Sequence, residues 1–294
     1  MKMRSRKLVK LGSSLFVSLP AEWTRSVGLR EGSEVIIDMD GEGVFIRPVV
    51  GTGPKRMSVG APAAHRKLLA AYLNGCSEIE VALEGMKREE LSRMEETAAS
   101  LIGLEKVYEG SDRAIYACFV DDDQDPAAIS GRIVETLSTM TVDAARALDS
   151  VEPRILGEVA ARDSVVDKLY FLLVRVLRST IEFPRAKLMD FRAMSKTLER
   201  IGDEISGLAL NAPESWEATA LELRARDLAG MLARAHALFL EGGAEDAESL
   251  GISAWSLSCE LYGESSAAAG FRSRAYRSYS ALAGLIKDIT DLVT

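Results

Sequence analysis

Histidine and cysteine are scarce in this chain. Two histidines, His65 and His236, and three cysteines, Cys76, Cys118 and Cys259, are spread over 294 residues without a Cys-x-x-Cys spacing. A zinc centre of the Cys/His kind therefore has no ligand set. A disulfide framework has no pairing pattern either, and the cysteines read as buried or free thiols. No apolar run reaches about 18 residues, and the basic start MKMRSRKLVK is not followed by the apolar stretch of a signal peptide. The expectation is a soluble, cytoplasmic protein without membrane insertion. Neither a nucleophile–base pair nor a phosphate-cradling glycine loop is evident, so an enzyme is not expected.

What is present is ample apolar material, 47% of residues, enough for two or three domains with real cores. The net charge of −8 is unevenly distributed. Residues 1–60 hold ten Lys/Arg against six Asp/Glu, a balance of +4, and the remainder holds 26 against 38, a balance of −12. A basic arm on an acidic body is one way of attaching a nucleic-acid-binding module to a chain that otherwise repels nucleic acid.

The most informative stretch runs from Asp163 to Asp203. Two helical patterns meet at Phe183-Pro184, because proline cannot continue a helix and biases the residue before it away from helical geometry. Asp163 and Asp167 are four residues apart, as are Glu199 and Asp203, so each pair projects from one helix face. The positions mirror about residue 183. An antiparallel hairpin sets Asp163 level with Asp203 and Asp167 level with Glu199. Like charges at that spacing cost a helix a few tenths of a kcal/mol per pair. A hard cation among the four would offset this, since carboxylate oxygens are its natural ligands. A solvated acidic face, with Arg162, Lys168 and Arg200 as ion-pair partners, serves the spacing equally. Tyr170 reads as a residue packed between helices. Gly202, inside the second helix, costs about 1 kcal/mol relative to alanine and implies a close approach beside Asp203.

The motifs D-x-V-V-D-x-L-Y (Asp163–Tyr170) and L-E-R-I-G-D-E-I (Leu198–Ile205) resemble the paired E/D-x-x-x-D motifs of the PhoU family of phosphate-uptake regulators. That resemblance implies three-helix bundles and a cluster of iron, zinc or another divalent cation held by Asp163, Asp167, Glu199 and Asp203.

Residues 1–50 read as a small β-rich module. Two short strands flank Gly12-Ser13-Ser14, and a helix runs from Pro20 to Gly28. Two further strands are separated by Asp40-Gly41, a strong hairpin signal. A unit of this size buries too little by itself and is expected to dimerise. The order L-G-S-S-L-x-V-x-L-P, then V-G-L-x-x-G-x-E-V-x-I, is similar to the swapped-hairpin DNA-binding domain of AbrB and MazE-type antitoxins. The resemblance implies a dimeric barrel with a basic face. Arg4, Arg6, Lys7, Lys10, Ser13, Ser14 and Arg25 are the residues placed to meet DNA: the cations on phosphates, arginine and the hydroxyls on base edges. A barrel that only dimerises fits the same residues.

Beyond the module, 51–60 has the composition of a flexible linker, and 61–125 reads as α-β-α-β-β, a small α+β layer. Its end, Asp121 to Asp125, lacks EF-hand spacing and reads as a solvated boundary. From Pro126 six helices are expected, near 127–149, 153–182, 187–211, 215–241, 245–268 and 271–293. They divide into bundles at 126–212 and 213–294. The second is degenerate: Glu245, Asp246 and Glu248, and then Asp288 and Asp291, lack the paired motif. Ser273, Arg274 and Arg277 make the last helix basic, chiefly on a solvated face.

The fold class expected is therefore multidomain α+β, mainly α: a swapped-hairpin barrel, a small α+β segment and two tandem three-helix bundles. The combined resemblance implies a homodimeric DNA-binding regulator of phosphate uptake with a metal-binding helical body. The alternative is an adaptor that damps a phosphate ABC transporter subunit or a sensor kinase, its head serving only to dimerise.

Overall fold

The computed structural model describes residues 5–40, 43–48, 55–121, 123–180 and 183–293, so Arg4 lies outside the described residues. The chain divides into two compact units, Met1–Gly53 and Pro54–Thr294. In the first, β1 (Val9–Leu11) pairs antiparallel with β2 (Ser14–Phe16), Lys10 opposite Leu15 and Leu11 opposite Ser14. Gly12 makes the turn at φ +61°, a conformation that costs glycine nothing. A short helix α1 (Ala21–Ser26) starts after Pro20. β3 (Val35–Asp40) then pairs antiparallel with β4 (Gly43–Pro48), from Val35 opposite Pro48 to Asp40 opposite Gly43; the turn residues, Gly41 included, lie outside the described residues. Within one chain these strands form two separate two-stranded ladders.

The second unit begins with a four-stranded sheet in the order β5-β6-β8-β7. Its elements run β5 (Arg56–Val59), α2 (Ala64–Leu73), β6 (Glu78–Ala82), α3 (Arg88–Ala99), β7 (Leu104–Glu109) and β8 (Arg113–Cys118). β5 lies in the stretch whose composition reads as linker. It is a strand because it pairs parallel with β6, Arg56 opposite Glu78 and Val59 opposite Val81, and Val59 is buried. That partner is some twenty residues away, and a four-residue segment between Gly/Pro-rich flanks carries too little pattern to announce it. Leu68, Tyr72, Ile79, Met94 and Tyr116 centre the core of this layer.

Six helices follow: α4 (Pro126–Ser150), α5 (Pro153–Ser179), α6 (Arg185–Leu210), α7 (Glu222–Glu241), α8 (Ala244–Ala267) and α9 (Gly270–Thr290). Asp125, the last acid of the run before Pro126, caps α4 by accepting from the Ala127 amide at 2.8 Å, with Pro126 in the first turn. α4, α5 and α6 pack on one another, and so do α7, α8 and α9; contacts of α4 with α7 and α6 with α9 join them over one continuous core. Phe191 and Phe239 meet edge-on within it, centroids 5.1 Å apart.

α7 starts at Glu222 rather than near 215. The cause is tertiary. The Asp149 carboxylate of α4 accepts the amides of Leu221 and Glu222 at 3.0 Å and the Thr219 hydroxyl, capping α7 from another helix. The Trp216 indole donates to the Leu148 carbonyl at 2.9 Å and ties the irregular segment before α7 to the end of α4.

Candidate functional site

The four mirrored acids come from the middle of α5 and α6, two long neighbouring helices. The apolar seam Val166, Leu169, Leu173, Leu198, Ile201 and Ile205 fixes their facing. Gly202 sits against α5. A Cβ there would stand 2.7 Å from Asp163 Oδ1 and 3.3 Å from the Val166 side chain, so an alanine would have to push the Asp163 carboxylate from its present place. We therefore expect Gly202→Ala to lower stability by about 1–2 kcal/mol in thermal melts, the crowding outweighing the roughly 1 kcal/mol helix-propensity gain. An increase in melting temperature would show that the approach is not needed.

Asp163 and Asp167 are half-buried, Glu199 is nearly covered and Asp203 is exposed. Burial pushes the Asp163 carboxyl up from its ordinary range; a hydrogen bond from Ser206 opposes this, and the Asp203 and Glu199 charges add to it. The Oδ1 oxygen of Asp163 is buried without a hydrogen-bond partner. Asp167 is pushed up to about 6, first by burial and then by the charges of Asp163, Asp203 and Glu199, with Lys196 in opposition. All four carboxyls thus share one electrostatic neighbourhood, as the mirrored spacing implies.

The positive charge that answers them is Lys196, whose Nζ lies 2.5 Å from Glu199 Oε2 and 5.6 Å from the Tyr170 ring centroid. Arg162, a partner the spacing suggested, instead donates to Asp143 of α4 at 2.6 Å. Tyr170 is buried between helices, its hydroxyl accepting from Arg192 at 3.1 Å. Ser206, Lys196 and Arg192 are the local residues that reading the four acids alone misses. Lys196 and Ser206 are three residues from Glu199 and Asp203, so the same helical spacing could have found them.

A hard cation suits this donor chemistry, and the orphaned buried oxygen of Asp163 is the atom most in need of one. The donors do not converge in the present rotamers: among the described residues no three His, Cys, Asp or Glu side chains are grouped to hold an ion. In the α7–α9 half, Asp246 pairs with Arg234 at 2.8 Å and Asp291 with Lys287 at 2.5 Å. There α8 and α9 meet through the Ser258 and Ser280 hydroxyls, 3.0 Å apart, and Gly251 against Thr290.

In the first unit Arg6, Lys7, Lys10, Ser13, Ser14 and Arg25 are all exposed. Lys10 and Ser14 lie on β1 and β2 and Ser13 in their turn, whereas Arg25 is on α1, its Nε donating to the Ala21 carbonyl at 3.1 Å. None of the described residues of this unit is buried, and Leu15 and Met39 are 66% and 73% exposed.

Two family models match the chain. Residues 8–53 match the antidote-toxin recognition domain of MazE, a bacterial antitoxin, and residues 131–212 match the PhoU domain. The second span covers α4 to α6, with all four acids; the sheet layer and α7–α9 lie outside both. No curated protein and no solved structure matches. No helix among the described residues is long and apolar enough to cross a membrane.

Proposed function

We propose that the chain is a dimeric DNA-binding regulator of phosphate uptake whose α5–α6 face binds a metal cation, iron, zinc or another divalent ion. The observation that carries this reading is the union in one chain of a MazE-like head with a PhoU-like helical half. The head's lack of any buried described residue supports dimerisation, since a second copy is the simplest cover for Leu8, Leu11, Leu15, Phe16, Ile37 and Met39. Arg4, Arg6, Lys7, Lys10, Ser13, Ser14 and Arg25 form the proposed DNA face. Asp163, Asp167, Glu199 and Asp203 would hold the cation, which supplies positive charge to a cluster otherwise answered by Lys196. Regulation requires that occupancy change which arrangement the body prefers.

The test is affinity selection on a random duplex library, then the salt dependence of binding. Each phosphate contact contributes about 0.9 to the slope of log K against log salt. Arg6→Ala, Lys7→Ala and Lys10→Ala together are expected to lower that slope by about 3 per protomer, and affinity with it. Unchanged slope in the triple variant would remove the DNA face. The second reading, an adaptor for a phosphate transporter subunit or sensor kinase, is favoured by an exposed apolar face on α8.

A further inference from the structure

Among α4 to α9, α8 buries the smallest share of its residues. It buries a seam of mostly small residues, Ala247, Gly251, Ala254, Leu257, Leu261 and Ser265. Its outer side carries Ile252, Trp255, Cys259 and Tyr262, spaced three, four and three apart, which a 3.6-residue period aligns as one stripe about 15 Å long. Ile252 is 65% exposed, Trp255 57% and Tyr262 62%. Single exposed apolar residues are ordinary on a surface; an aligned isoleucine, tryptophan and tyrosine have the make-up of an interface centre. Trp255 stands between two grooves. One, of about 320 Å3, runs along Ala247, Gly251 and Val293; the other, of about 390 Å3, runs along Glu204, Gly284 and Leu285. Ser256 and Gly263, beside the stripe, leave room for a second backbone to approach.

Charge decides the occupant. α8 contains Glu245, Asp246, Glu248, Glu260 and Glu264 and no lysine or arginine. Arg234 pairs with Asp246, and Arg224 reaches Glu260 and Glu264 only at 3.6 and 3.9 Å. Lys287, beside the first groove, is engaged by Asp291, and Arg200 lines the second. Among the described residues Glu245, Glu248 and Asp288 have no ion-pair partner. On the stripe's own side a second copy would bring again Glu245, Glu248 and Asp288, with Arg200 and the Asp291-engaged Lys287 as the cations in the groove linings, so acids would outnumber cations across the contact, which specific interfaces avoid.

We infer that the α8 stripe docks a lysine- or arginine-rich amphipathic helix of another protein, its apolar residues seated beside Trp255 and its cations facing Glu245, Glu248 and Asp288. This stands whether or not the head binds DNA.

The experiment uses the full chain and two labelled helical peptides with leucine at positions i, i+3, i+4 and i+7: one with lysine at the remaining positions, one with glutamate. Fluorescence anisotropy should show binding of the lysine peptide, weakening with salt, and at least tenfold weaker binding of the glutamate peptide. Trp255→Glu should reduce binding of the lysine peptide at least tenfold with an unchanged melting temperature. Ile252→Ser is the milder companion should the first variant misfold. Glu248→Lys should weaken the lysine peptide several-fold. No binding of the lysine peptide, equal binding of both peptides, or full binding to Ile252→Ser would overturn the proposal. So would Cys259–Cys259 cross-linking between copies at micromolar protein, which would make a second copy the occupant.

Discussion

Replacing Arg175 with leucine is expected to destabilise the Pro54–Thr294 unit by about 3–5 kcal/mol, the cost of removing a buried charged group on which other buried polar atoms depend. Arg175 is 2% exposed, on the face of α5 that meets α2. Its guanidinium donates to the carbonyls of Tyr72 at 2.7 Å and Cys76 at 3.1 Å, and lies 4.9 Å from the Tyr72 ring centroid. It therefore places positive charge at the C-terminal end of α2, where unpaired carbonyls and the helix dipole favour it. The Tyr72 hydroxyl in turn donates to the Ile102 carbonyl at 2.9 Å, and Arg178 donates to Asn74 Oδ1 at 2.9 Å. Arg175, with Arg178 beside it, thus ties the sheet layer to the helix bearing Asp163 and Asp167.

Lysine should substitute poorly: one guanidinium nitrogen, Nη1, serves both carbonyls, and an ammonium there would forgo the planar contact with the Tyr72 ring. Urea denaturation measures the loss. Native-state hydrogen exchange localises it, with amides of α2 and β6 opening sooner while those of α4 and α7 keep their protection. A loss below about 1 kcal/mol, or uniform acceleration throughout, would refute the anchoring role.

For Asp167→Asn the expected result changes sign with cation and with pH. The folded protein holds the Asp167 proton up to about pH 6, against an ordinary value of 3.8. Between those values the native state binds a proton that the unfolded chain has released. The raised carboxyl thus costs stability as pH rises through the window, and the cost is complete above about 6. With chelator present, Asp167→Asn should be more stable than wild type at pH 7.5 by about 1 kcal/mol, a figure reduced for the solvent that reaches this half-buried group, and indistinguishable from it near pH 4.

Adding iron or zinc should invert the order. A cation at a hundred times its dissociation constant stabilises the wild type by about 2.7 kcal/mol, and a chain lacking that ligand should gain far less. Calorimetric melts of both proteins, with chelator and with each metal, give the crossing directly. Equal metal-dependent shifts in the two chains would eliminate the site, whatever becomes of DNA binding.

Much of this site was legible beforehand because its rules are local. The i, i+4 spacing of Asp163 with Asp167 and of Glu199 with Asp203, the break at Pro184 and the anomalous Gly202 placed four carboxyls and one close approach. The structure shows them electrostatically coupled and Gly202 against Asp163. The counter-charge was not legible. Several cations lie within reach of the acids along both helices, and the choice of Lys196 among them depends on side-chain conformation. Arg162 in particular turns away to Asp143 on α4, a preference no helical period contains.

By itself the sequence determined the elements: the two hairpins and short helix of the head, the alternation of strands and helices that follows, and six long helices with their breaks. Periodicity, proline, glycine and capping act over a few residues and need no knowledge of the rest of the chain. The tertiary structure decided what depends on distant partners. β5 is a strand because β6 receives it, α7 starts at Glu222 because Asp149 caps it, and Arg175 is buried because carbonyls about a hundred residues away require a donor. It also left Ile252, Trp255 and Tyr262 facing solvent, since which side of an apolar helix is covered depends on how many neighbours surround it, a property of packing that composition does not encode.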